Sequence, residues 1–212
     1  MNIITIGIIA LNVLISYKGF NNPSFFRKYE FHIGNIKAGE QIRMISSAFL
    51  HVDIAHLTFN MLTLYFFAPI IFDYFSSIIF LYIYFGSLIT GNLLTYYFHN
   101  SNYSYRAVGA SGAITGIVYS AIVLVPNLEL QLFFAIPIPG YAFGLGYLLY
   151  SIYGMKAKND TIGHTAHIGG AIGGYIITIA KMPNLIFENT FMVVVLAIPI
   201  VLLLFLHRTN KL

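Results

Sequence analysis

Cysteine and tryptophan are absent from this chain, and charged residues are scarce. Without cysteine there is no disulfide framework, no thiolate zinc site and no thiol nucleophile. Charged residues fill 8% of the 212 positions, against roughly 25% in soluble domains. Eleven basic and seven acidic side chains cannot coat a body of this size, so lipid must be the solvent for most of its exterior. The formal charge of +4 is no argument for a nucleic-acid partner. Lys18, Arg27, Lys28, Lys37 and Arg43 are spread through one stretch, and the other basic residues stand singly between apolar runs. Charges at the ends of membrane spans explain that distribution.

What the chain has is apolar sequence, 58% of it. Crossing a hydrocarbon core of about 30 Å takes about 20 helical residues, and backbone groups in lipid must bond within their own segment. Seven runs free of Asp, Glu, Lys and Arg are candidates: 1–17, 54–72, 74–99, 107–128, 130–155, 161–180 and 189–207. In the fifth, Pro137, Pro139 and Gly140 set the helix start near Gly140, because proline suits a first turn and not a helix interior. The first run lacks a basic leader and a small-x-small cleavage site, so a retained span is expected rather than a cleaved signal. Residues 18–47 mix charges with Phe20, Phe25, Phe26, Tyr29 and Phe31, a blend suited to the membrane–water interface. The expected class is an all-α, multi-pass membrane helix bundle in a single domain over residues 1–212.

Strongly polar side chains inside a bilayer are expensive and mark function. Three groups stand out: His51-Val-Asp-Ile-Ala-His56-Leu-Thr-Phe-Asn60, Gly109-Ala-Ser111-Gly112, and His164-Thr-Ala-His167-Ile-Gly-Gly170-Ala-Ile-Gly-Gly174. They open the second, fourth and sixth runs, so alternating spans put all three on one side of the membrane. His56 and Asn60, four apart, share a helix face. His167, Gly170, Ala171 and Gly174 form a stripe nearly bare of side chains, and Gly112 with Gly116 offers a matching small face. Close contact of the fourth and sixth spans would bring Ser111 to His167.

A serine hydroxyl becomes a nucleophile when a base takes its proton, and neutral histidine is the usual base near pH 7. The tetrahedral oxyanion then needs donors, which the His56 and Asn60 side chains and the Ser111 backbone N–H can supply. The acids are Glu30, Glu40, Asp53, Asp73, Glu129, Asp160 and Glu188, none of them within the fourth or sixth run. A Ser–His dyad is therefore expected rather than a triad, with the histidine oriented by packing and no cofactor required.

The spacings His51-x4-His56-x3-Asn60, Gly109-x-Ser111-Gly112 and Ala166-His167-x-Gly169-Gly170 resemble the three motifs of rhomboid proteases, in that family's order. The likeness covers about residues 43–179 and includes Arg43 with the Ser47-Ala-Phe-Leu-His51 stretch. It implies a six-helix core, about 1–181, with a seventh helix after it at about 189–207. It also implies cleavage of transmembrane protein substrates with small side chains near the scissile bond. Ser111 would be nucleophile and His167 general base, with His56 and Asn60 stabilising the oxyanion. His51 matches a position that supports the loop before the second span, and Gly109, Gly112, Gly170 and Gly174 are supporting positions. Two departures concern packing. Many relatives carry an aromatic ring one turn after the serine, where this chain has Thr115, and the tryptophan often found before the matching arginine is Ile42.

Other readings stay open at this level. Ser111 alone fits a small residue in a helix contact, and the paired Gly-x-x-x-Gly faces also fit dimerisation of two chains. His164 reads as structural or rim, and Phe133, Phe134 and Phe143 as the lining of a lateral route for substrate. His51, His56, His164 and His167 form an alternative metal-ligand set, and a non-catalytic binding protein of the same fold is a second alternative. A plasma or inner membrane is expected. The family arrangement places the N-terminus in the cytoplasm, which leaves Lys181 inside and the other ten basic residues outside. The positive-inside rule prefers the reverse.

Overall fold

The structure, a computed structural model, describes residues 2–132, 135–157 and 162–212. Every one of the seven apolar runs contributes a long helix, and short elements fill the interfacial stretch. In chain order the helices are α1 (Ile3–Asn21), α2 (Pro23–Tyr29), α3 (Ile33–Lys37), α4 (Arg43–Ser46), α5 (Ile54–Tyr74), α6 (Ser77–His99) and α7 (Ser111–Leu124). They continue with α8 (Gly140–Ala157), α9 (His164–Lys181), α10 (Leu185–Glu188) and α11 (Thr190–Arg208). Among the described residues two antiparallel ribbons accompany the helices: β1 (Phe31–His32) pairs with β2 (Arg106–Ala107), and β3 (Glu129–Leu132) with β4 (Ile136–Pro139).

Among the described residues four helices, α1, α5, α6 and α11, are long and apolar enough to cross a membrane. The chain is an all-α, multi-pass membrane helix bundle. Helix α7 differs from its neighbours. Thirteen of its fourteen residues are buried, so it is the central post of the bundle, packed by α5, α6, α8, α9 and α11. At about 1.5 Å per residue it is about 21 Å long, shorter than a hydrocarbon core of about 30 Å.

Local chemistry explains several boundaries. Asp53 caps α5 by accepting from the His56 N–H at 2.7 Å. Helix α8 starts at Gly140, after the two prolines, and the Gly140 N–H donates to the Leu128 carbonyl at 2.7 Å. Helix α7 starts later than its apolar run because Arg106 and Ala107 pair with His32 and Phe31. The segment leading to Ser111 is thereby stitched to the interfacial loop, and Arg106 also pairs with buried Glu30. Arg43 is buried within that loop. Its guanidinium donates to the Arg27 and Glu30 carbonyls at 2.7 and 3.0 Å and to the Glu40 carboxylate at 2.6 Å. That contact, together with Asn35, holds the Glu40 carboxyl below the usual carboxylate range.

Candidate active site

Helix α9 lies wedged between α6 and α7 because its glycines leave room on two sides. A Cβ on Gly169 would stand 2.6 Å from the Thr90 carbonyl oxygen of α6. One on Gly170 or Gly174 would overlap the backbone of Gly112 or Gly116 on α7. The backbones are in contact, so the two Gly-x-x-x-Gly faces meet within one chain. Deeper in the same interface, the Thr178 hydroxyl donates to Ser120 at 2.7 Å, and Ser120 donates to the Gly116 carbonyl at 2.8 Å.

At the top of this interface the Ser111 hydroxyl and His167 Nε2 are 2.8 Å apart. Ser111 is the first residue of α7, where backbone N–H groups lack intrahelical partners and the helix dipole is positive. Gly109 approaches with φ +128°, a conformation that side chains rarely adopt. A Cβ there would lie 2.7 Å from His56 Cε1 and 3.7 Å from Ser111 Oγ, so the His56 ring and the serine flank the same glycine. Asn60, one turn beyond His56 on α5, is 3% exposed, and its Nδ2 group has no hydrogen-bond partner among the described residues.

His51 anchors the opposite flank. The Ser16 hydroxyl donates to the Phe49 carbonyl at 3.0 Å, so it must accept from His51 Nδ1–H at 2.8 Å. Nε2 is then an acceptor facing the Ala110 N–H at 3.5 Å. Burial pushes the His51 pKa down to about 3, with the nearby His56 adding to the effect and Asp53 opposing it. The ring stays neutral and ties α1 to the residue before Ser111.

One residue at the site escaped the sequence reading. Tyr147 of α8 places its hydroxyl 2.8 Å from His167 Nδ1, with its ring 5.6 Å from the imidazole and tilted by 27°. Phe143 stacks on Tyr147 in turn, 5.7 Å away and nearly parallel. A signal existed in the spacing of Gly140, Gly144, Leu148 and Ser151, which marks the buried face of α8; Tyr147 lies beside it. Phe133 and Phe134, the other aromatics expected along a lateral route, lie outside the described residues. His164 packs edge-on to Tyr150 and 6.4 Å from the His167 ring, away from the serine contact. Among the described residues no three potential ligands converge to hold a metal ion. The four histidines considered as a ligand set are thus not gathered into one.

A family model for the rhomboid domain matches residues 38–184, more than half of the chain. This chain belongs to the rhomboid family. It is 34% identical to the putative rhomboid protease YdcA of Bacillus subtilis (strain 168), over 66% of this chain and 67% of that protein. It is 29% identical to RHOMBOID-like protein 12, mitochondrial, of Arabidopsis thaliana, over 79% of this chain and 55% of that protein. With rhomboid protease GluP of Bacillus subtilis the identity is 32%, over 68% of this chain and 27% of that protein. This rhomboid thus spans little more than half of the plant relative and about a quarter of GluP. The matched region contains every motif residue described above.

Proposed function

We propose that this rhomboid is a serine endopeptidase that hydrolyses peptide bonds in or beside the membrane-spanning segments of other membrane proteins. The observation that carries the reading is the 2.8 Å contact between Ser111 Oγ and His167 Nε2. His167 takes the serine proton as Oγ attacks the scissile carbonyl, then returns it to the leaving amine. The oxyanion is held by the Ser111 backbone N–H and by the His56 and Asn60 side chains, for which the unpaired Asn60 Nδ2 is a ready donor. Water deprotonated by the same imidazole hydrolyses the acyl-enzyme. Every step uses this chain's own groups and water.

The short α7 supports an intramembrane reaction, since a helix of about 21 Å anchored at one boundary begins inside a hydrocarbon core of about 30 Å. The catalytic unit is proposed as one domain, a core of about 1–181 with the seventh helix at about 189–207, in a plasma or inner membrane. Substrates with small side chains at the scissile bond suit a site enclosed by glycine-packed helices. The test is covalent labelling by a fluorophosphonate, with cleavage of a transmembrane reporter, in wild type, Ser111→Ala and His167→Ala. Labelling and cleavage are expected in wild type and lost in both variants. Undiminished cleavage by Ser111→Ala would overturn the proposal. Absence of both labelling and cleavage in wild type would favour the non-catalytic alternative.

A further inference from the structure

For His167 to act as the base, Nε2 must present a lone pair to Ser111, so the ring hydrogen must sit on Nδ1. In a Ser–His–Asp arrangement a carboxylate fixes that tautomer, because it can only accept. Here the partner at Nδ1 is a neutral phenol, which can donate or accept. With Nδ1 carrying the ring hydrogen that the dyad requires, the Tyr147 oxygen receives His167 Nδ1–H at 2.8 Å, and the phenol ring lies 5.6 Å from the imidazole, tilted by 27°.

We infer that Tyr147 is a positioning residue, which holds His167 in the tautomer and orientation that a carboxylate would otherwise impose. Ser111 donates to His167 Nε2, and His167 Nδ1–H donates to Tyr147. Phe143, stacked on Tyr147 5.7 Å away and nearly parallel, backs the phenol ring. The ring that lies against the imidazole thus comes from α8. The inference rests on the dyad proposed above.

The test uses the full chain in detergent micelles and compares wild type with Tyr147→Phe, which keeps the ring and removes the hydroxyl. Fluorophosphonate inactivation should show a limiting rate about tenfold lower in Tyr147→Phe, the scale of one lost hydrogen bond, with half-saturation within about twofold of wild type. Nitrogen-15 NMR of histidine-labelled protein reads the tautomer directly, with the His167 signal assigned by its disappearance in His167→Asn. Wild type should carry the neutral-ring hydrogen on Nδ1, and Tyr147→Phe should shift population toward Nε2–H. An unchanged limiting rate, or unchanged tautomer populations, overturns the inference. Equal labelling of Ser111→Ala and wild type would instead sink the dyad, and the NMR comparison would still decide what Tyr147 does to the ring.

Discussion

A buried amide donor without a partner costs about 1–3 kcal/mol, and Asn60 bears that cost at 3% exposure. Such a group is ready to meet charge that appears only during reaction. Asn60→Ala should lower kcat on a transmembrane reporter by about 10²–10³, as loss of one oxyanion donor does. Its melting temperature should be unchanged or higher, a combination that activity and thermal-shift measurements resolve together. His51 makes the opposite prediction, for stability. Its imidazole takes a proton near pH 6.5 in the unfolded chain and only near pH 3 in the fold. Between those values the unfolded chain binds more protons, so stability is fully present above about pH 6.5 and falls as pH drops through that window. His51→Gln should flatten the decline in melting temperature between pH 7 and pH 5 in detergent; an unaltered slope would assign the decline to other groups.

Helix α9 depends on absent side chains. Gly170→Val would press a branched side chain into the Gly112 backbone, separating α7 from α9 and with them Ser111 from His167. Overpacking of this kind costs about 1–3 kcal/mol or more, so melting temperature and labelling should fall together. Gly146 of α8 is the control, since a Cβ there meets nothing within 4 Å. Gly146→Ala should raise stability by about 0.5–1 kcal/mol through helix propensity and leave labelling intact. At this scale the long helices were legible because hydropathy and proline placement are local. The β3–β4 pairing was not, because residues 130–139 lie in one run free of charged residues and carry no Asn-Gly or Asp-Gly signal.

At the scale of the whole molecule the basic residues bear on orientation in the membrane. Several basic residues of the interfacial region are engaged in the fold. Lys18 lies over the Phe25 ring at 4.5 Å, Lys37 over Tyr103 at 4.6 Å, Arg106 pairs with Glu30, and Arg43 is buried. Charges so tied down are poor topogenic signals, and the orientation with the N-terminus in the cytoplasm is the one expected. With seven spans, alkaline phosphatase fused at Leu212 should then be active and a cytoplasmic-only fluorescent reporter dark. The reverse pattern would place the Ser111 face in the cytoplasm.

Hydropathy and helical spacing were enough, without coordinates, to specify a multi-pass helix bundle and to nominate Ser111, His167, His56 and Asn60. Both signals are properties of neighbouring residues, and polar groups in lipid are too costly to be placed at random. The tertiary structure alone brought in Tyr147, paired residues 31–32 with 106–107, and turned the paired glycine faces toward each other within one chain. Those contacts depend on how each helix is rotated and shifted along its axis, which is settled only when all the helices pack at once.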